Sequence, residues 1–546
     1  MNLWEALTGG MGWSHDGAFY CWTDNRYERT LWDEVTRDSE RMTRGMRDAG
    51  VEPGARVATI LTNTPATVRG LLGAWLAGGA IASLPVPARG MSPEEYAEQI
   101  ATLCAHVDPA VFIVDEAFLP LIPDAVQQQV SVRSWESMLD TGTVDLSPPG
   151  EDELAFIQYS SGSTSVPKGC MLTARAIAAQ LELISEMVEI TPTDVGITWL
   201  PLSHDMGMFG TLLMPWIYRL DGVVAPPERF AMAPRTWFAD IAEFGGTITA
   251  GTNTALHLAA RAHEKRPIEG SVAKLKTCII GAERVQWETL MYALDAFRPN
   301  GMRPESLMPA YGMAEATLAV SSVRNDRQPE FTMVDAIALA DGRVEAADPD
   351  DPSATMIVSG GTPCAGVELP GLSEGELAEI RVSSPSLADG YFAEPELTAE
   401  RFRDGEVRTG DLGFMREGQL YPVGRTDDVI VLGGRNVYAR EVEAAIDRLD
   451  GVRTGCSTIV DTGEGMRGGM TLLVEARDSD TDFGALAKEA ASVAMAKAAV
   501  PLDACIVLEK GGLPKTPTGK IQRHRCRQLL EADALEPLTV VELAAV

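Results

Sequence analysis

Residues Tyr159 to Gly169, YSSGSTSVPKG, crowd hydroxyls, glycines and one lysine into a short stretch after an apolar run of strand type. Backbone N–H groups in a Gly/Ser-rich turn that follows a strand can converge on an anion. The hydroxyls of Ser160, Ser161, Ser163 and Thr164 add donors, and Lys168 adds a charge. The spacing is not Gly-x-x-x-x-Gly-Lys-Ser/Thr, so the ordinary nucleotide loop is absent here. A second chemistry fits the same residues. Some amidases use a Ser-Ser-Lys arrangement with serine as nucleophile, which would require Lys168 close to Ser161 and an oxyanion hole. A flexible surface turn would explain the glycines and serines but not the Pro-Lys-Gly ending. The loop alone leaves these readings open.

Other stretches decide between them. GAERV (Gly281 to Val285), YGMAEAT (Tyr311 to Thr317), RTGDLG (Arg408 to Gly413), GRTDDVIVLGGRNVYAREVE (Gly424 to Glu443) and PKTPTGKIQR (Pro514 to Arg523) follow in that order. Singly, each has a plain explanation: Asp411 as a turn residue, Glu315 as a helix-surface carboxylate, Lys520 as a solvated lysine. As an ordered set, the six stretches resemble the motifs of the adenylate-forming superfamily, which contains acyl-CoA synthetases, fatty acyl-AMP ligases, peptide-synthetase adenylation domains and luciferases. The amidase reading leaves the Asp411, hinge and terminal-lysine stretches unexplained. A non-catalytic relative that only binds an acyl-nucleotide has no need of Lys520, Glu315 and an intact loop together.

The resemblance implies ATP-dependent conversion of a carboxylic acid to acyl-AMP and pyrophosphate, followed by transfer to a pantetheine thiol on an acyl carrier protein or on CoA. It implies that Ser160, Ser161, Gly162, Ser163, Thr164 and Lys168 hold the β- and γ-phosphates. Gly281, Ala282 and Glu283 would flank the adenine, and Tyr311-Gly312 would stack on it. Glu315 would ligate Mg²⁺, a hard cation suited to carboxylate and phosphate oxygens. Asp411 would accept hydrogen bonds from both ribose hydroxyls, and Arg425 would lie near the ribose or phosphate. Lys520 would bridge the substrate carboxylate and the α-phosphate. Asp427 would be the hinge about which a small domain rotates between the two half-reactions. A carboxylate and a phosphate repel each other, so catalysis in such a site is mostly positioning and charge neutralisation.

The elements that must position these residues are legible in outline. A chain of 546 residues is too long for one ordinary core. Up to about residue 420, short apolar runs (ARVATILTN, AVFIVD, LAFIQYSS, GVVAPP, KTCIIGAE) alternate with helical patterns (PATVRGLLGAWLAGG, YAEQIATLCAH). Strand and helix in alternation predict α/β layers with largely parallel sheets. From Ile380 the strands are short and joined by tight turns, which predicts a β-rich subdomain. After Gly424 a compact helix–strand–strand–helix–strand pattern predicts a small, mobile α+β domain. The expected division is 1–424 and 425–546.

Composition narrows the partners. The formal net charge of -32 disfavours nucleic acid and anionic lipid. Eight scattered cysteines without a C-x-x-C pair and six dispersed histidines signal neither a zinc site nor a disulfide framework, and point to a reducing cytoplasm. The apolar run Leu71 to Ala88 contains Gly78-Gly79 and two prolines, and is expected to be a buried helix, a turn and a buried strand rather than a membrane span. Lys510, Lys515, Lys520, Arg523, Arg525 and Arg527 form a basic cluster near the C-terminus. It suits an anionic ligand, although Arg523 to Arg527 are expected to be a solvated helix face.

Within the superfamily, PLSHDMGMFG (Pro201 to Gly210) and YGMAEATLAVS resemble fatty acyl-AMP ligases, as does a segment after Val323 that looks like their characteristic insertion. Ser203, the GTNTAL stretch at Gly251, and Gly433, Val437 and Ala439 depart from that branch, and Gly433-Gly434 is closer to CoA synthetases. In the resemblance His204 gates the acyl pocket or orients the carboxylate. The methionine-rich stretch that follows, with Phe209 and Trp216, is a candidate pocket wall, and equally a candidate core. Ser203 and Thr252 lead to the expectation of a bulky acid, such as a polycyclic or branched natural-product intermediate.

Overall fold

The computed structural model describes residues 1–12, 17–87, 91–139, 142, 145–159, 167–426, 429–432, 435–461, 469–478, 480–498, 500–515 and 521–543. The predicted strands form, and they are collected into two large sheets. In one of six strands, Val132–Ser134, Val111–Val114, Arg56–Thr59, Ala80–Ser83 and Leu154–Tyr159 run parallel, and Gly169–Thr173 closes the edge antiparallel. In the other, of nine, a parallel run leads from Leu307–Gly312 through Thr277–Ile280, Ile248–Gly251, Val195–Thr198 and Asp221–Val224 to Ala18–Thr23. Near-continuous apolar strands such as Thr277–Ile280 follow from burial of both faces under helices. Between the layers, Trp32 stacks on Trp216 with ring centroids 5.2 Å apart, and both are fully buried.

The run from Leu71 behaves as its sequence predicts. The helix Pro65–Leu76 begins with a proline in its first turn and is capped by Thr64, whose hydroxyl accepts from the Thr67 N–H. It ends in a turn at Gly78, whose φ of +89° and close approach to Pro53 and the Ser147 carbonyl exclude a side chain. The buried strand Ala80–Ser83 follows. Among the described residues no helix is long and apolar enough to cross a membrane.

The β-rich region is an antiparallel sheet of Ala378–Val382, Phe402–Arg403, Glu406–Arg416 and Gln419–Arg425. The segment after Val323 folds as a two-stranded ribbon, Phe331–Asp335 against Ala354–Val358, joined through a short helix that Asp335 caps. From Ala439 onward a further four-stranded sheet forms, in the order Val452–Asp461, Met470–Ala476, Ala504–Leu508, Pro537–Glu542. The helices Ala439–Ile446 and Phe483–Ala498 cover it, with a separate apolar core around Val442, Ile446, Leu472, Ala490 and Cys505. The last strand, Pro537–Glu542, has no counterpart in the sequence reading. It is an edge strand, with exposed Leu538 and Val540, and lacks the apolar signature of its neighbours.

The basic cluster does not form one patch. The Lys515 amine is buried and donates to the Gly455 carbonyl at 2.7 Å, with the Cys456 sulfur at 3.1 Å. Arg523 is not on a solvated face: it turns inward to pair with Glu443 at 2.9 Å, and Arg525 reaches across to Glu95. Buried Glu443 draws Arg523 out of solvent, an effect that composition alone does not show, whereas the Arg525–Glu95 pair stays at the surface. All eight cysteines are free, seven of them buried and Cys364 partly so. Desolvation raises every one of the eight thiols above its ordinary value.

Asp447, at the end of the helix Ala439–Ile446, accepts a hydrogen bond from Ser457 at 2.8 Å. Desolvation, reinforced by nearby Glu443, raises its carboxyl to about 7. A carboxyl raised on folding favours the native state in its protonated form. Its contribution is complete below the unfolded value near 4 and is lost as pH rises to about 7. Asp447→Asn should therefore flatten the decline in stability of this region between those limits. Thermal midpoints of both proteins across the window would test this, and parallel curves would rule it out.

Candidate active site

Four described connections leave the carboxyl ends of parallel strands on one side of the two large sheets, the side where open α/β sheets bind ligands. They are Pro201 to Asp205 after Val195–Thr198, Thr252 after Ile248–Gly251, Gly281 to Val285 after Thr277–Ile280, and Met313 to Thr317 after Leu307–Gly312. The antiparallel β-rich sheet brings Asp411 and Arg425 to the same place. Register pairs these two residues across neighbouring strands.

Asp411 is the junction. Its Oδ2 accepts a hydrogen bond from the Tyr311 phenol at 2.6 Å, and its Oδ1 lies 3.4 Å from Arg425 Nη1. The Thr409 hydroxyl donates to the Ile380 carbonyl at 2.7 Å and accepts from the Asp411 N–H at 2.9 Å, which fixes the strand at that point. Gly410, at φ +72°, makes the bend that turns Asp411 toward Tyr311. Desolvation, with Asp411 next, pushes the Tyr311 phenol well above its ordinary value, so it is a donor at any physiological pH.

Glu315 sits in a tight turn, Ala314–Ala316, held from behind by an unusual backbone. Thr317, a β-branched residue, has φ +67° and ψ -50°, and the Leu318 N–H bonds back to the Ala316 carbonyl at 2.8 Å. This is a strained γ-turn of positive φ. The buried Thr317 hydroxyl holds it in place by donating to the Ser386 carbonyl at 2.7 Å. Tyr391, a residue the sequence reading missed, donates its phenol to Glu315 Oε1 at 2.7 Å. Lys168 Nζ lies 5.7 Å from the centre of the Tyr391 ring. A β-bridge between Cys170 and Tyr391 joins the two stretches that carry them. The only sequence signal for Tyr391 was an aromatic pair after Gly390, which is weak without the Glu315 contact.

Two cavities share a wall. The polar one is lined by Ala282, Glu283, Tyr311, Gly312, Glu315, Asp411 and Arg425 among others, and so gathers seven of the predicted residues. The apolar one is lined by Ile184, Met187, Met206, Gly210, Ile279 and Leu318, together with His204, Asp205 and Gly281. Ala282, Ala310, Tyr311 and Gly312 face both. His204 Nδ1 lies 2.6 Å from Asp205 Oδ1. The residues after it form a π-helix, Met206–Leu213, which seats Gly207 against the Pro201 carbonyl, where a side chain would collide.

Several expectations change here. Phe209 packs edge-on against Phe156 and Trp216 against Trp32, both fully buried, so they are core and not pocket wall. Thr252 is the N-cap of the helix Asn253–Lys265, and lines neither cavity, as is also true of Ser203. The case for a bulky acid that rested on them falls. The Glu283 carboxylate is engaged with the backbone N–H and hydroxyl of Thr254 at that helix's first turn. Arg284, beside it, pairs with buried Glu441 and donates to the Met356 carbonyl at 2.9 Å. Ser160, Ser161, Gly162, Ser163, Thr164, Asp427, Gly433, Gly434 and Lys520 lie outside the described residues.

A magnesium ion fits this donor set in one way. The described residues contain no cluster of three or more metal-ligating side chains. Glu315 offers one carboxylate, oriented by the Tyr391 phenol on Oε1. Mg²⁺ is commonly held by one or two carboxylates, with phosphate and water completing the octahedron.

A family profile described as AMP-binding enzyme matches residues 13–392. The chain belongs to the AMP-binding enzyme family. It is 27% identical over 561 residues to the 4-hydroxyphenylalkanoate adenylyltransferase of Mycobacterium marinum, with 94% of this chain and 88% of that one covered. It is 31% identical over 403 residues to the medium-chain-fatty-acid–[acyl-carrier-protein] ligase JamA of Moorena producens, covering 69% of this chain and 67% of that one. A solved structure from work on the fatty acyl-adenylate ligases of E. coli and L. pneumophila superposes with a TM-score of 0.90 at 26% identity, over 97% of this chain and 98% of that one. The protein is thus an ATP-dependent, acyl-adenylate-forming ligase of α/β fold.

For this AMP-binding enzyme, Tyr391→Phe removes one donor from a charged acceptor, a change worth roughly a factor of ten. Acid-dependent pyrophosphate release should fall about tenfold with circular dichroism unchanged. An unaltered rate would show that Glu315 does not depend on Tyr391.

Proposed function

We propose that this ligase adenylates a carboxylic acid with an apolar body and then passes the acyl group to a pantetheine thiol. The observation that carries the reading is the shared wall. An acyl-adenylate is apolar at one end and polyanionic at the other. The two cavities divided by Ala282, Ala310, Tyr311 and Gly312 differ in that direction: one is mostly apolar, and the other adds Arg284, Arg425, Arg440 and the carboxylates Glu283, Glu315 and Asp411 to a mixed lining.

In this reading the ribose hydroxyls donate to Asp411, whose orientation Tyr311 and Arg425 fix, and Arg425 also offsets phosphate charge. Gly281, Ala282 and Gly312 provide close backbone approach to the base, and the Tyr311 ring forms its flat wall. Glu283 acts indirectly, by holding the first turn of the helix Asn253–Lys265 beside the loop. Ser160, Ser161, Gly162, Ser163, Thr164 and Lys168 would hold the pyrophosphate portion. Glu315 would hold Mg²⁺, which when bound neutralises phosphate charge. His204 lines the apolar cavity and would face the acid's carboxylate, with Asp205 orienting its ring. The carboxylate oxygen attacks the α-phosphorus and pyrophosphate leaves. Lys520, assigned on its motif alone, would lie between the two anions. Residues 1–424 and 425–546 would act as two domains hinged at Asp427, so that Lys520 withdraws after the first step.

JamA is named for transfer to an acyl carrier protein, and the M. marinum relative for adenylation of a 4-hydroxyphenylalkanoate. These names support both halves of the reading, and they make medium-chain aliphatic and arylalkanoic acids the first candidates. The test is pyrophosphate release over a panel of straight-chain, arylalkanoic and polycyclic acids. Release with none of them would sink the proposal. Lys520→Ala should lower release by about 10²- to 10³-fold, the range for loss of one preorganised charge-stabilising donor, while leaving thiol transfer from added acyl-AMP intact. Equal loss in both steps would deny Lys520 its bridging place.

A further inference from the structure

His204 is placed by residues far from it in the chain. It belongs to the segment Leu200 to Asp205, which leaves the nine-stranded sheet after Val195–Thr198. Two buried amides from the side of the six-stranded sheet hold the backbone of that segment. Asn63, just beyond the strand Arg56–Thr59, donates its Nδ2 to the carbonyls of Leu200 at 2.9 Å and Ala225 at 2.8 Å, and its Oδ1 accepts from the Leu202 N–H at 3.0 Å. Gln158, on the strand Leu154–Tyr159, donates its Nε2 to the Ser203 carbonyl at 2.8 Å. Phe156, on the same face of that strand, packs edge-on against Phe209 of the π-helix, so the strand meets the His204 segment twice.

The Ser203 carbonyl and the His204 N–H belong to one planar peptide unit. The carbonyl accepts from Gln158, and the N–H donates to the Pro201 carbonyl at 3.0 Å. The following unit is held too, since the His204 carbonyl accepts from the Met208 N–H at 2.9 Å. With both flanking peptide planes fixed, the direction in which the His204 side chain leaves the backbone is fixed. Asp205 then has only the ring to orient, through Nδ1.

Stability does not account for Gln158. The residue is buried, and its Nε2 faces the carbonyls of Ser203 and Tyr159, which settles the orientation of the amide. Its Oε1 has no hydrogen-bond partner among the described residues. A buried acceptor without a partner costs at least as much as one hydrogen bond returns, so an apolar side chain of the same length would serve the core equally well. What the amide adds is the position of the Ser203 carbonyl.

We infer that Gln158 is a positioning residue for the acid: by fixing the Ser203–His204 peptide, it sets where the His204 ring meets the incoming carboxylate. The inference rests on the adenylation reading and deepens it. Gln158 lines neither cavity, and so acts through His204. Its strand also leads in sequence to the YSSGSTSVPKG stretch, so the two ends of the reaction are referenced to one element.

Gln158→Met keeps the length of the side chain and removes the donor. In acid-dependent pyrophosphate release, kcat/KM for the acid should fall about tenfold, with the KM for ATP and the thermal midpoint unchanged. In a His204→Ala background the same substitution should alter the rate by less than about twofold, because the positioning has lost its object. Gln158→Glu offers a donor only when protonated, so its rate relative to the wild type should climb as pH is lowered. Histidine-ring NMR reads the position without turnover. The His204 signal, identified by its loss in His204→Ala, should shift or broaden in Gln158→Met. The inference is overturned by equal losses in the two backgrounds, by a KM for ATP that rises with that for the acid, by a Glu variant whose relative rate ignores pH, or by a His204 signal identical to that of the wild type. A wild type that releases no pyrophosphate with any acid would indict the adenylation reading instead, and the NMR comparison would still decide whether Gln158 places His204.

Discussion

Repulsion between two anions is the constraint around which this molecule is arranged. A carboxylate must reach a phosphate inside a chain that is itself strongly acidic. Cations on this side of the sheets therefore need positions that the general negative field cannot disturb. Arg425 has one through its strand register opposite Asp411, and Lys168 has one at the base of a strand bridged to Tyr391. Neither relies on a surface ion pair, which would contribute little.

The Tyr311–Asp411 hydrogen bond shows how the layers cooperate. Tyr311 belongs to the nine-stranded sheet and Asp411 to the antiparallel sheet. Their contact fixes the angle between two elements that share no ladder. It also aligns the walls of the apolar and polar cavities, because the Tyr311 ring belongs to both. On the far side, Glu441 meets both Arg284 and the Thr355 hydroxyl, which ties the C-terminal unit to the ribbon after Val323 and to the loop of residues 281–285.

Much of this was legible beforehand, for reasons that differ by element. Parallel strands buried on both faces announce themselves as short apolar runs, so Arg56–Thr59, Val111–Val114 and Thr277–Ile280 were readable. That Asp411, Glu315 and Tyr311 gather around one cavity was readable because their neighbours form ordered motifs. What was hidden depends on contacts between distant residues. Thr252 looked like a pocket residue and is a helix cap. Arg523 looked solvated and is drawn inward by Glu443. Tyr391 earns its place only through Glu315, 76 positions away in the chain. The π-helix at Met206 left no periodic signature, since its eight residues are buried on every side.

The buried cysteines acquire a meaning from the chemistry. A mixed anhydride of a carboxylic acid and AMP is an acylating agent, and it does not distinguish one accessible thiolate from another. The thiolate, not the thiol, is the nucleophile. This chain keeps all eight of its sulfurs protonated by desolvation, and seven of them out of contact with solvent. The enzyme is in that sense chemically silent toward its own product. Selectivity for the acceptor begins with the absence of competitors at home, before any recognition of the acceptor takes place.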